Sequence, residues 1–199
     1  MTINELPTGS APPAIHFPHF PTLWQAVLWR NWELVSVTRL ARILETSEGR
    51  LLDAARALGL PTPPDVQPAW IRRGYATLIR ANWHLLPYGQ LLDLLGWTPD
   101  QMFLHLQEDD FLWTKLGYLK PACETVRFTP LTLEQVSRTA CIREALQDFH
   151  SENRPRVPPF AFVEEFERPL PVSFQRTAQD RTNEPASFSP LFIYSYSAT

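Results

Sequence analysis

Three consecutive acidic residues are the densest group of chemically capable side chains in this sequence. Glu108, Asp109 and Asp110 are followed at once by the apolar run 111–113. Two carboxyl groups can serve as general acid and general base when unlike surroundings separate their pKa values and a cleft holds the substrate. The alternative is a solvated helix end whose carboxylates pair with the arginines of residues 72–80, and we favour this structural interpretation.

Histidine and cysteine are the other candidates for metal binding or nucleophilic chemistry. His16 and His19 lie in a proline-interrupted segment without a nearby Cys or carboxylate to complete a tetrahedral site. Cys123 and Cys141 belong to no Cys-x-x-Cys pair, which argues against a zinc ribbon or a redox motif. The GxSxG, Walker A, GxGxxG and HExxH patterns do not occur either. We therefore predict no catalytic residue, no metal site and no cofactor in this chain.

Composition and charge narrow the class of protein further. The 199 residues carry a formal net charge of -3, with 44% apolar and 20% charged side chains. This balance lacks the basic excess that is typical of nucleic-acid-binding chains. No apolar run approaches the ~20 residues of a membrane span, and Met1–Pro21 has neither the basic residues nor the apolar core of a secretory signal. We expect a globular, cytoplasmic protein that does not enter a membrane.

An internal repeat organises the middle of the chain. Asn31 and Trp32 are matched by Asn82 and Trp83 at an offset of 51 residues. The same offset aligns a series of apolar positions, namely Leu34 with Leu85, Leu40 with Leu91, and Leu44 with Leu95. The simplest interpretation is two copies of one unit of about 40 residues.

The repeat separates the tryptophans with a structural role from those that could bind a ligand. Trp32 and Trp83 hold equivalent positions, so we expect both to lie in the core. Trp97 and Trp113 have no such explanation, and Trp is favoured at the energetic centre of interaction surfaces. The predicted partner- or ligand-binding residues are Trp97, Trp113, Glu108, Asp109 and Asp110.

Each copy is predicted to form three helices, because apolar residues recur at helical spacing in three segments of each. Thr98, Pro99 and Gln101 have the pattern of an N-cap with a capping box. Ser47 is the matching N-cap of the first copy, although Arg50 stands at the position of the reciprocal acid or amide. The predicted fold class is all-α, with tandem three-helix, helix-turn-helix-like units followed by one amphipathic helix and an extended tail.

Proline-rich stretches set the predicted boundaries. Twenty prolines stand against seven glycines, and they cluster before, between and after the two copies. The predicted organisation is a disordered N-terminal segment (1–20), a first three-helix unit (21–60), a Pro-rich linker (61–71), a second three-helix unit (72–120), an amphipathic helix that packs on the units (121–153), and an extended tail (154–199).

The amphipathic helix has a clear start and a clear apolar stripe. Thr132 and Gln135 form a capping-box pattern, and the helix is predicted to run to His150. We expect Cys141 to lie on its buried side as a small apolar residue. The predicted stripe consists of Leu133, Val136, Ala140, Ala145, Leu146 and Phe149.

The helix-turn-helix arrangement suggests a DNA-binding transcription regulator as an alternative function. Its candidate DNA contacts are Arg39, Arg42, Arg50 and Arg56, all in the first copy. Residues 81–111 of the second copy contain five acidic residues and no Lys or Arg. Because phosphates repel such a surface, nucleic acid is not the partner that we expect.

The most strand-prone run, Leu191–Tyr196, lies near the end of the chain. A lone strand without a hairpin partner is unstable in water and prone to aggregate. Either this strand pairs with another chain, so that the protein self-associates through it, or the natural protein continues beyond Thr199.

Four segments together resemble a known group of proteins. Residues Arg80–Thr98, Glu108–Gly117, Phe160–Val163 and Phe192–Tyr196 are similar to the N-terminal region of large uncharacterised bacterial proteins, in which a helical region precedes a glycoside-hydrolase-like barrel. The resemblance covers roughly residues 21–196, and the final Ser-Ala-Thr departs from it.

The resemblance implies a function for the chain as a part of something larger. Phe192–Tyr196 would be the first barrel strand, and the catalytic carboxylates would lie in sequence beyond Thr199. The chain itself would be a noncatalytic helical module, structural or partner-binding. Its expected partner is the downstream barrel domain or another protein surface.

Overall fold

The computed structural model describes residues 1–109, 111–150 and 158–164, with the backbone alone for 148–150. The chain divides into two units, Met1–Val163 and Glu164–Thr199, and the fold given below is that of the first. After a 3-10 turn at Ile3–Glu5, the helices are α1 (Leu23–Asn31), α2 (Val37–Ile43), α3 (Glu48–Leu58), α4 (Pro68–Asn82), α5 (Tyr88–Leu95), α6 (Pro99–Glu108), α7 (Leu112–Lys115) and α8 (Leu133–His150).

The predicted all-α class is confirmed. Among the described residues the β-structure consists of one isolated bridge, between Pro13 and Ala122. No helix in the described ranges has the length and apolar character needed to cross a membrane.

Local capping signals explain where the helices begin and end. Thr98 and Gln101 form the predicted capping box at the start of α6, which satisfies backbone N–H groups that no helical carbonyl reaches. Gly59 and Gly96 end α3 and α5 in the left-handed conformation, with φ of 79° and 71°, which costs glycine little. Three further helices begin at a hydroxyl that accepts a hydrogen bond from the backbone N–H three residues on, at Thr22, Ser36 and Ser47.

Residues 51 apart meet where α1 packs on α4. Asn31 donates from Nδ2 to Asn82 Oδ1 at 2.8 Å, and Asn82 Nδ2 donates to Asn31 Oδ1 at 2.7 Å. Each amide also donates to the carbonyl four residues before it, and both side chains are fully buried.

The N-terminal segment differs from the prediction of disorder for residues 1–20. Leu6 is buried in the core at 3% exposure. Proline lacks a backbone donor but keeps its carbonyl, so an extended, proline-rich segment can attach itself as an acceptor. The Pro7 carbonyl accepts a hydrogen bond from Tyr88 Oη at 2.6 Å. The carbonyls of Thr8 and Pro12 accept from the backbone N–H groups of Lys120 and Ala122, each at 2.8 Å.

Helix α8 begins as predicted, with reciprocal bonds between Thr132 and Gln135, but its buried face was predicted wrongly. Leu133 is 89% exposed and Val136 is 50% exposed. The helix instead packs on α1 and α3 through its mixed polar side, where Gln25 Nε2 donates to Thr139 Oγ1 at 2.8 Å. Of the remaining predicted stripe, Ala145 is exposed, Ala140 and Leu146 are half-buried, and the side chain of Phe149 lies outside the described residues.

The described part of the tail forms turns where an extended chain was predicted. The N–H groups of Ala161 and Val163 donate to the carbonyls of Pro158 and Phe160. The Phe160 ring, 4% exposed, lies directly on Gly74 of α4, because a Cβ placed on that glycine would come within 2.6 Å of it. The predicted strand Leu191–Tyr196 and the rest of the tail lie outside the described residues.

Candidate functional site

A cluster of aromatic and titratable side chains lies where α4 packs near α6. His105 and Asp109 are four residues apart at the end of α6 and hydrogen bond to each other through Nδ1 and Oδ2. Tyr75 of α4 donates its hydroxyl to the same Asp109 oxygen at 2.5 Å. Trp97, in the turn before α6, stacks on the His105 ring with centroids 4.3 Å apart and planes 20° apart.

The electrostatics of the cluster centre on Asp109. Burial alone would raise the pKa of its carboxyl group, but the hydrogen bonds from Tyr75 and His105 hold that pKa below its usual value. The carboxylate is therefore ionised at neutral pH, and it fixes the His105 ring with Nδ1 directed at itself. This Asp–His pair has the form of a general-base dyad, yet among the described residues no Ser, Thr or Cys is hydrogen bonded to it.

A cleft of about 330 Å³ opens beside the cluster, bounded by α2, α4, α5 and α6. Arg39 and Arg72 contribute cationic groups, and His105 and Gln101 contribute further polar groups. Arg39 is half-buried and donates from Nη1 to the Leu94 carbonyl at 2.9 Å. Burial, and then the charge of Arg42, lower the pKa of its guanidinium. The rest of the lining is apolar or aromatic, from Pro68, Ile71, Leu95 and Trp97.

The structure brings together two of the five predicted binding residues. Trp97 and Asp109 both belong to the cluster, whereas the side chain of Glu108 is exposed. Asp110 lies outside the described residues. Trp113 packs edge-on against Trp83, with centroids 6.2 Å apart and planes at 79°, as a core aromatic would.

Two of the four predicted DNA contacts bond to the end of α5, and the other two are exposed on α3. Arg39 and Arg42 donate to the Leu94 and Asp93 carbonyls at the end of α5, where a cation complements the negative end of the helix dipole. Arg50 and Arg56 are exposed on α3, and Arg56 pairs with Asp53 at 2.7 Å.

A second group of titratable residues has a structural role. Lys120 is 3% exposed and donates from Nζ to the Trp83 carbonyl at 2.9 Å and to Cys123 Sγ at 3.4 Å. Its ammonium also lies over the Trp83 ring, 5.0 Å from the centroid. Burial lowers the pKa of this ammonium, and Cys123 opposes the change. These bonds attach the loop that follows α7 to the end of α4.

The metal-ligand candidates are dispersed. His16 and Cys123 line a separate cleft of about 430 Å³ together with His84. His84 Nδ1 accepts a bond from the Ile15 N–H, and burial lowers the pKa of its ring. Within the described ranges no three His, Cys, Asp or Glu side chains are grouped as a metal site would require. Cys141 is exposed, and the prediction that it is buried was wrong because α8 turns its other side inward.

Sequence reasoning missed Tyr75 and His105 of the cluster, and Arg72 and Gln101 among the polar groups of its cleft. The spacing of His105 and Asp109 on one helix could have indicated their pairing. Tyr75 and Arg72 reach the site from α4, and no local sequence pattern predicts that they do.

Comparisons with protein-family models, with curated proteins and with solved structures gave no match to this chain.

Proposed function

We propose that this chain is a noncatalytic helical module that binds a protein partner, from the N-terminal part of a protein that continues into a glycoside-hydrolase-like barrel. The observation that supports partner binding is the exposure of three apolar side chains within the stretch 103–111, which also contains the acidic residues 108–110. Phe103, Leu104 and Phe111 are 37%, 56% and 55% exposed. Large exposed apolar side chains grouped in one stretch are typical of an interaction surface.

The first half of the chain provides an internal comparison for this stretch. We propose that α1–α3 and α4–α6 are two copies of one unit, supported by the bonds between Asn31 and Asn82. At the offset of 51 residues, the positions of Phe103 and Leu104 are occupied in α3 by Leu52 and Asp53. Leu52 is half-buried and Asp53 is charged and exposed. The second copy thus exposes apolar groups where the first presents a charged one, and a partner that covers them is a physical reason for the difference.

The partner that we propose is the downstream barrel domain. The resemblance places that domain after this chain, and such a domain is always available at high effective concentration. The noncatalytic role is consistent with the use of the polar groups in the described residues: Lys120 holds a loop, the asparagine pair joins two helices, and Glu108 faces solvent.

The test is a titration of this chain with the polypeptide encoded after Thr199, in which calorimetry measures the binding. The variant Leu104→Ser with Phe111→Ser should weaken binding by about tenfold or more, because truncated residues at the centre of an interface cost over about 1 kcal/mol each. Leu133→Ser on α8 is the matched control, since Leu133 is also exposed and apolar. Equal binding by all variants, or a downstream sequence that encodes no folded domain, would refute the proposal.

The transcription regulator remains the alternative proposal. Duplex DNA titrated at two salt concentrations separates the two. Tight binding with a steep negative salt slope that disappears on Arg50→Ala with Arg56→Ala would favour the regulator. A partner-binding module should show neither.

A further inference from the structure

The cleft beside His105 combines cationic, polar and apolar groups. Of the eight residues that line it in the described part of the chain, two are arginines and none is acidic. A volume of about 330 Å³ falls within the range of small-molecule sites.

The polar groups converge on the cleft from three helices. Arg39 comes from α2, Arg72 from α4, and Gln101 and His105 from successive turns of α6. Arg39 has five N–H donors, and its bond to the Leu94 carbonyl engages the Nη1 nitrogen. Its partial burial beside the cleft keeps a weakly solvated cation at the wall, which strengthens its attraction for an anion.

The apolar and aromatic walls of the cleft indicate the chemical character of the rest of the ligand. Pro68, Ile71 and Leu95 form an apolar surface, and Trp97 is held flat on the His105 ring. Asp109 fixes that ring through its hydrogen bond to Nδ1, so the lining is organised before a ligand arrives, which lowers the entropic cost of binding. An anion without an apolar body would leave half of this lining unused.

We propose that this cleft binds a small organic carboxylate with an apolar or aromatic body. The carboxylate lies against Arg72 and Arg39, which can pair with it through charge-assisted hydrogen bonds. The body lies on the apolar wall beside Trp97. The cleft lies next to the stretch 103–111, but Phe103, Leu104 and Phe111, the side chains proposed to contact the protein partner, do not line it, so either proposal can fail without the other.

The test uses sodium 3-phenylpropionate as the probe and the full chain labelled with nitrogen-15. Titration should shift the Trp97 indole N–H and the His105 ring signals in a saturable way. The neutral amide of the same acid lacks the charge, and inorganic phosphate lacks the body, so both should bind at least about tenfold more weakly. A short N-acetylated peptide that ends in a free phenylalanine carboxylate tests whether a chain end can supply the same group.

Two neighbouring arginines supply the matched variants. Arg72→Gln should weaken binding by about tenfold or more, the value of one charge-assisted bond. Arg73→Gln, the next residue on α4 and absent from the cleft lining, should change it less than about twofold, as expected for a screened surface charge. If Arg72→Gln fails to fold, the chemical shift changes of the wild-type chain still test the proposal. Shifts spread over the surface, equal binding of the neutral amide or of phosphate, or equal loss in both arginine variants would each overturn the proposal.

Discussion

The buried amide pair of Asn31 and Asn82 is the most informative contact at the scale of single residues. Each amide donates two hydrogen bonds and accepts one from its partner. A buried polar group is tolerated only when its hydrogen bonds are made. The two residues therefore depend on each other, and the pair determines how α1 lies on α4.

Asn31→Leu should lower the free energy of unfolding by about 1–3 kcal/mol, because it leaves the Asn82 amide buried without its partner. Asn82→Leu should have a similar effect. The double variant should be more stable than the sum of the two changes predicts, since no amide is then left unpaired. Urea denaturation of the four proteins measures this coupling. Strict additivity would show that the two amides act independently.

Asp109 should make stability depend on pH in the acid range. Its hydrogen bonds from Tyr75 and His105 lower the pKa of its carboxyl group in the folded state. The resulting stabilisation is complete above the unfolded-state pKa of about 3.9. It is lost as the pH falls through the lowered folded-state value.

The wild type should have a larger free energy of unfolding than Asp109→Asn. This difference should be largest near neutral pH and should shrink below about pH 4. Tyr75→Phe removes one of the bonds that lower the folded-state pKa, so this variant should lose less stability than the wild type as the pH falls below about 4. Denaturation midpoints measured between pH 7 and pH 3 test both expectations. A difference that stays constant over this range would contradict the assignment.

At the scale of elements, Gly74 shows how the segment 158–164 attaches to the helical body. Glycine is a poor helix former, yet here it lies in the middle of α4 under the Phe160 ring. The missing side chain lets the ring approach the helix backbone. The attachment of this segment therefore depends on one small residue.

Gly74→Ala should destabilise the protein by about 1–3 kcal/mol, because the added methyl group overlaps the Phe160 ring. Gly49→Ala on α3 is the control, since a Cβ there meets nothing within 4 Å. It should be neutral or stabilising by up to about 1 kcal/mol. Thermal unfolding of the two variants provides the measurement, and a stabilised Gly74→Ala would place Phe160 elsewhere.

Helix positions followed from the sequence because their signals are local. The capping box at Thr98 and Gln101 and the apolar spacing within each helix act within a few residues. The buried face of α8 did not follow, since Leu133 and Val136 form as good a stripe as the mixed face around Thr139 that packs on α1. That choice depends on the surface that the helix meets.

The candidate site was predictable only in part, for the same reason. Trp97 and Asp109 were recognised by residue type and position, and both lie in the cluster. Tyr75, His105 and Arg72 were not recognised, because their roles arise from the packing of α4 near α6. The attachment of residues 1–20 was missed because it depends on backbone carbonyls, which leave no trace in side-chain composition.

At the scale of the whole molecule, the described helices enclose one continuous core, and the side chains of Phe103, Leu104 and Phe111 are exposed at its surface. Fully burying a large apolar side chain contributes about 1.5–3 kcal/mol, so a partner that covers Phe103, Leu104 and Phe111 gains several kcal/mol. The apolar character of this surface is the basis of the proposed function.

Hydrogen–deuterium exchange tests this central proposal most directly. The amides of 103–111 are compared between this chain alone and the same chain extended by the sequence encoded after Thr199. The account predicts slower exchange in 103–111 in the longer protein, while exchange in α3, including the matching positions Leu52 and Asp53, stays the same. Unchanged exchange in 103–111, or protection that falls on α3 instead, would contradict it.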